Sequence, residues 1–140
     1  MSSVFRLSFA SLLFLAVSSL FAGDEAAMLK RLVLSNLKGT DYTAHVRVKK
    51  VEKAGDAGIY QMFRITVDVV ELFNGRAQKI LEYGVSQEKP TKGPAVGSEF
   101  IVSLETKKKD GRLMYFIPDN GYTLPVKPEL LEALRSSIGK

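Results

Sequence analysis

Two stretches of this chain alternate apolar and polar residues at period two, and that alternation constrains the fold more than any other feature. In Thr43–Lys49, the residues Ala44, Val46 and Val48 fall on one side, with Thr43, His45, Arg47 and Lys49 on the other. In the second stretch Phe63, Ile65, Val67 and Val69 alternate with Arg64, Thr66 and Asp68. Successive side chains of a strand point to opposite faces, so each pattern predicts a strand buried on one face and wet on the other. The phase slips at Lys49-Lys50-Val51 and again at Val69-Val70, after which Leu72 shares a face with Val70. Such slips predict bulges, and a bulge lets a long strand bend and serve both halves of a small barrel.

The rest of the chain supplies three more strands and two helices. Ala54–Gly58 reads as a turn between the first two strands, and Asn74-Gly75 closes the second. Ile80–Val85 predicts a third strand, followed by a loop over Gln87–Gly97 rich in proline and glycine. Phe100, Val102 and Leu104 form the inward face of a fourth strand. A hairpin over Lys107–Arg112 then turns on Asp110-Gly111, a pair suited to positive φ, into a fifth strand over Leu113–Ile117. Met28, Leu29, Leu32, Val33 and Leu37 recur at helical spacing ahead of Gly39. Leu130, Leu131, Leu134 and Ile138 do so after Pro128. The expected fold class is therefore mainly β: a small five-stranded barrel with a short N-terminal helix and a C-terminal helix.

Five strands flanked by helices suggest a barrel of the oligonucleotide/oligosaccharide-binding type. Three features sharpen this: the Ala-X-Val-X-Val strand at Ala44–Val48, a second strand ending Val69-Val70-Glu71-Leu72-Phe73-Asn74-Gly75, and Val96–Val102 followed by Gly121-Tyr122. Over Asp41 to Tyr122 the chain resembles the netrin-like/TIMP-like group of such barrels. The resemblance implies a secreted, non-enzymatic interaction domain. TIMP-like inhibitors chelate a protease zinc through an N-terminal cysteine. This chain has no cysteine, so that mechanism and its residues do not carry over.

The chain also opens on a targeting pattern. Arg6 is followed by sixteen uncharged residues, Leu7–Ala22, short of the roughly 20 needed to span a bilayer. Residues 1–22 are expected to be a secretory signal peptide, with cleavage best after Ala22 and next best at Val17-Ser18-Ser19, leaving 23–140 as one domain without a stable membrane anchor. The absence of cysteine and of any Asn-X-Ser/Thr acceptor tilts the expected location toward a bacterial periplasm or exterior. The formal charge of +5 is mildly basic.

The residue inventory limits chemistry. Thiol nucleophiles and thiolate metal sites are excluded, and His45 as the only histidine leaves no basis for a His-rich zinc site. His45 is expected on the surface or rim. Ser86, Ser98 and Ser103 lack a Gly-X-Ser-X-Gly setting. No catalytic, cofactor or metal residue is assigned, and no cofactor is expected. The expected function is a binding module with a protein partner. The alternative is an anionic glycan or nucleic acid held by the basic hairpin Lys107, Lys108, Lys109 and Arg112. Tyr60, Tyr115 and Tyr122 complete the candidate binding residues, although aromatics do not interleave with the lysines as base stacking would require.

Overall fold

A computed structural model describes residues 23–138, so the expected signal peptide lies outside the described residues. The chain runs through a helix α1 at residues 23–39, strands β1 (Tyr42–Ala57), β2 (Tyr60–Asn74), β3 (Ile80–Glu88), β4 (Glu99–Lys109) and β5 (Arg112–Phe116), a 3-10 turn (Asn120–Tyr122), β6 (Thr123–Pro125) and helix α2 (Pro128–Ile138). The mainly β class and the helix at either end agree with the sequence. No helix among the described residues is long and apolar enough to cross a membrane.

The six strands form one sheet in which the pairings β1–β2, β2–β3, β3–β5, β5–β4 and β4–β1 close a ring of five. Four of these contacts are antiparallel and well populated. The fifth, β3–β5, is parallel and rests on two positions, Tyr83↔Tyr115 and Gly84↔Phe116. The ring is thus joined all round but loosely at one seam. A sixth strand, unexpected from the sequence, pairs Thr123–Pro125 with Phe100–Val102 of β4. Three residues ending in proline carry too little pattern to announce a strand.

Both phase slips are bulges. Lys49 is skipped in the β1–β2 register between Val48↔Val67 and Lys50↔Thr66, and Val70 is skipped between His45↔Glu71 and Val46↔Val69. A further slip at Phe73 lets Leu72 pack toward the ring interior while Phe73 packs outside it. The predicted turn at Ala54–Gly58 is shorter than expected. β1 continues to Ala57 and pairs with β2 as far as Ala57↔Tyr60, so only Gly58 and Ile59 turn. Pairing with β2 carries this polar, glycine-containing segment into the sheet, overriding local composition. Asp110 and Gly111 close the β4–β5 hairpin with φ of 54° and 78°, as expected.

Inside the ring, Tyr42, Ala44, Val46, Val48, Phe63, Ile65, Val67, Leu81, Tyr83, Val102 and Leu104 are buried against one another. Full burial of a Leu, Val or Phe side chain contributes about 1.5–3 kcal/mol. Gly75 is required here: its φ is 115°, and a Cβ would collide with the Tyr42 ring. A second cluster, Val33, Phe73, Ile101, Leu124, Leu130 and Leu134, lies where α1 and α2 cover the outside of the ring. Helix α1 ends without a left-handed glycine at Gly39. The Thr40 hydroxyl instead donates to the Asn36 carbonyl at 2.6 Å, occupying one of the last-turn acceptors.

Candidate functional site

The seam between β3 and β5 follows from how β4 shares its length. β5 takes Glu105–Lys109 and β6 takes Phe100–Val102. Between them the chain leaves β4 at Phe116 and returns at Thr123. In that excursion the Ile117 amide donates to the Gly84 carbonyl at 3.0 Å, which fastens the seam. Beyond it, β3 and the Pro118–Asn120 segment are not paired in register.

A groove of about 640 Å³ opens on the outer side of this seam. Its floor includes Met62, which sits opposite Ser86 on β3, and Met114, opposite Lys107 on β4. Cross-strand partners share a face, so Lys107, Lys109, Arg112, Met114 and Phe116 all project outward. Gly84 lies mid-strand on this floor and keeps it open. The Pro118–Asn120 segment forms the far wall, with the Asp119 carboxylate accepting from the Asn120 amide at 2.7 Å. Tyr60, Met62 and Met114 are 45%, 42% and 50% exposed, high for large apolar side chains in paired strands.

Four of the seven candidate binding residues line this groove: Lys107, Lys109, Tyr60 and Tyr115. Lys108 lies on the opposite face of β4 with Leu113, so the lysine run is split by the strand period, and Arg112 lies beyond the lining. Tyr122, half-buried in the 3-10 turn, does not line it either. Tyr115 is half-interior. Its ring meets Tyr42 edge-on at 5.3 Å, and its hydroxyl accepts from Gln78 Nε2 at 3.0 Å. Sequence reasoning missed Met62, Met114, Ser86 and Gly84. The available signal was an outward-phase Met62 and Met114 in otherwise alternating strands.

A smaller cavity of about 250 Å³ lies on the inner side of the same seam, lined by Ile65, Tyr83, Val85, Phe100 and neighbours. Val85, Ile117 and Asn120 line both cavities, so they are two sides of one gap. Gly93, with φ of 77°, closes one end. A Cβ there would press on Val51 and the Phe63 ring at 3.1–3.3 Å.

His45 corrects an expectation. It points out of the ring as predicted, yet only 8% of it is exposed, because the outer face of β1 is covered. Its Nε2 lies 2.7 Å from Glu99 Oε1, and Arg47 lies 3.7 Å from the other carboxylate oxygen. Nearby, Arg135 of α2 donates to Glu71 of β2 with both Nε and Nη2, a bidentate clamp that draws the Glu71 carboxyl below its usual range. The first two contacts tie β1 to β4, and only the Arg135–Glu71 pair joins a helix to the sheet. Among the described residues no group of three His, Cys, Asp or Glu side chains is placed to hold a metal ion.

No protein-family model matches this chain, and no curated protein matches it.

Proposed function

We propose that this protein is an exported, non-enzymatic binding module that holds a protein partner in the groove over the β3–β5 seam. The observation that carries this reading is the exposure of Tyr60, Met62 and Met114 together on the groove floor. Exposed apolar side chains gathered in one concave site, rather than scattered singly, mark places where another molecule binds. The charge-free segment at Leu7–Ala22 supports export to a periplasm or exterior. The ring of five strands has three hairpins, β1–β2, β2–β3 and β4–β5. The resemblance to the netrin-like/TIMP-like barrels, whose general type binds ligands across strands two and three, is kept as part of this proposal.

The test is site-specific photocrosslinking in the envelope and secreted fraction of the host. A benzophenone side chain at Met62 is expected to trap a protein that resists raised salt. The same group at Val96, 68% exposed on the loop before β4, is expected to trap nothing specific. Turnover of a substrate that disappears on substituting one polar side chain of the groove would overturn the non-enzymatic reading.

A second reading is favoured by Lys107 and Lys109, which stand on the groove wall beside Tyr60. A polyanion such as an envelope glycan or nucleic acid would bind there through its charges. Recovery of glycan or nucleic acid at low salt only, lost when both lysines are changed to Ala, would support it.

A further inference from the structure

We propose that the seam is a strand-acceptor site: an extended acidic segment of a partner protein adds to the free edge of β3 and completes the ring. The inference rests on the reading of the groove as a protein-binding site and names what enters it.

The first observation is backbone polarity along β3. The Lys89 amide donates to the Ile59 carbonyl, toward β2, whereas Gly84 accepts from Ile117, toward the seam. Backbone groups alternate sides along a strand, so Ser86 and Glu88 turn theirs to the seam as Gly84 does. The β3–β5 register stops at Gly84, and among the described residues no backbone partner meets Ser86 or Glu88 on that side. An unpaired edge of this kind is a template for one more strand.

The second observation is that the gap has room on both faces. Side chains of an added strand would alternate between the inner cavity of about 250 Å³, apolar around Ile65, Val85 and Phe100, and the outer groove of about 640 Å³. Gly84 is already paired with Phe116 and bonded to Ile117, so the added backbone would begin just beyond it, at Ser86, with the open floor over Gly84 at its end. A Cβ at Gly84 would meet only the Phe63 carbonyl, at 4.0 Å, so packing within the chain does not require glycine here.

The third observation is charge. Lys107 and Lys109 line the outer groove, and neither takes part in an ion pair among the described residues. The groove's one carboxylate, on Asp119, is engaged in capping the 3-10 turn. The matching segment therefore alternates apolar residues, facing inward, with acidic residues, facing Lys107 and Lys109.

The probe is a fluorescein-labelled peptide, Val-Glu-Val-Glu-Val-Glu-Val, titrated by anisotropy against the protein. Saturable binding is expected, with no binding by the peptide carrying Lys in place of Glu. The K107E/K109E double variant is expected to weaken binding about tenfold. N-methylating alternate peptide amides is expected to weaken it about tenfold in one register and hardly at all in the other. Gly84→Leu, with its fold checked by circular dichroism, is expected to abolish it. No binding, equal binding of the Lys peptide, or equal tolerance of both N-methylated registers would each overturn the strand-acceptor proposal. If the Met62 crosslink still traps a protein in that case, the binding-module reading stands and only the mode of recognition is wrong. If neither probe engages the groove, both fail.

Discussion

Each outer face of the ring carries side chains that run against its solvent exposure. Under α1 and α2, the outward side chains of β1 and β4 include Thr43, His45 and Ser103, polar groups that are nonetheless buried. Across the start of β2, β3 and β5, away from the Glu71 and Phe73 end of β2 that the helices cover, Tyr60, Met62 and Met114 face outward into water. On the covered face each polar group has a partner: Thr43 and Ser103 share a hydrogen bond of 2.9 Å, and His45 meets Glu99. Paired in this way, they escape the penalty of burial. The bare face has no such accounting within the chain. Buried polar groups that are paired are complete as they stand, whereas exposed apolar ones gathered in a groove are complete only with something on them.

The largest effect that tests this contrast is on stability. Leu134→Ala, at a site with no exposure in the outer cluster, is expected to cost about 2–4 kcal/mol by urea denaturation. Met114→Ser, on the bare face, is expected to stay within about 0.5 kcal/mol of wild type while losing the Met62 crosslink. A large stability loss from Met114→Ser would mean that the bare face belongs to the fold, and the contrast would collapse.

The buried hydroxyl pair gives the next effect. Thr43→Val is expected to cost about 1–2 kcal/mol, because it strands the Ser103 hydroxyl, which is 2% exposed. Adding Ser103→Ala is expected to recover most of that loss, since removing both partners leaves nothing unsatisfied. A double variant as unstable as the sum of both single changes would show that the covered face depends on packing at these positions rather than on pairing.

Much of the fold was legible because it is written in local period. The alternation in Thr43–Lys49 and Phe63–Val69, the slips at Lys49 and Val70, and the Asp110-Gly111 turn all rest on residues adjacent in sequence. The covered face was not legible. Nothing near His45 says that Glu99, 54 residues later, will close against it, so period two put it in water. The site was half legible for the same reason. The hairpin lysines and Tyr60 could be singled out, but the groove joins β2, β3 and β5 through a parallel contact between Gly84 and Phe116, and long-range closure leaves no short-range pattern. Strand period also shows how the four basic residues divide between faces: Lys108 faces away from Lys107 and Lys109.

The interior offers a control that belongs to neither outer face. The Tyr42 hydroxyl is buried with no hydrogen-bond partner, and burial, followed by the nearby Tyr115, pushes its pKa up from 10.0 to about 12. Tyr42 thus stays neutral in the fold at a pH where the unfolded chain ionises. Its stabilising contribution is intact below pH 10 and lost as pH rises through about 12. Tyr42→Phe is expected to be neutral or stabilising by up to about 1 kcal/mol near pH 7. It should also reduce the loss of stability above pH 10, measured by chemical denaturation across that range. Burial raises Tyr83 in the same direction, so some alkaline loss should remain. An unchanged alkaline limb would place the cost elsewhere in the ring.

The smallest expected effect lies on the rim of the covered face. The hydrogen bonds from Arg135 hold the Glu71 carboxyl below its ordinary 4.5, against the opposing effect of partial burial. A depressed folded-state pKa stabilises above the unfolded value and is lost as pH falls through the folded one. Glu71→Gln should therefore lower the melting temperature slightly at pH 7, and the difference should vanish in acid, below the range where Glu71 titrates. Because both side chains are partly in water, the shift should be no more than about a few degrees and should shrink in high salt. A large, salt-independent loss would instead mean that the clamp anchors α2 to the ring. The covered face would then owe its integrity to charge as well as to Leu130 and Leu134, and its difference from the bare face would be one of closure by α2 rather than of composition.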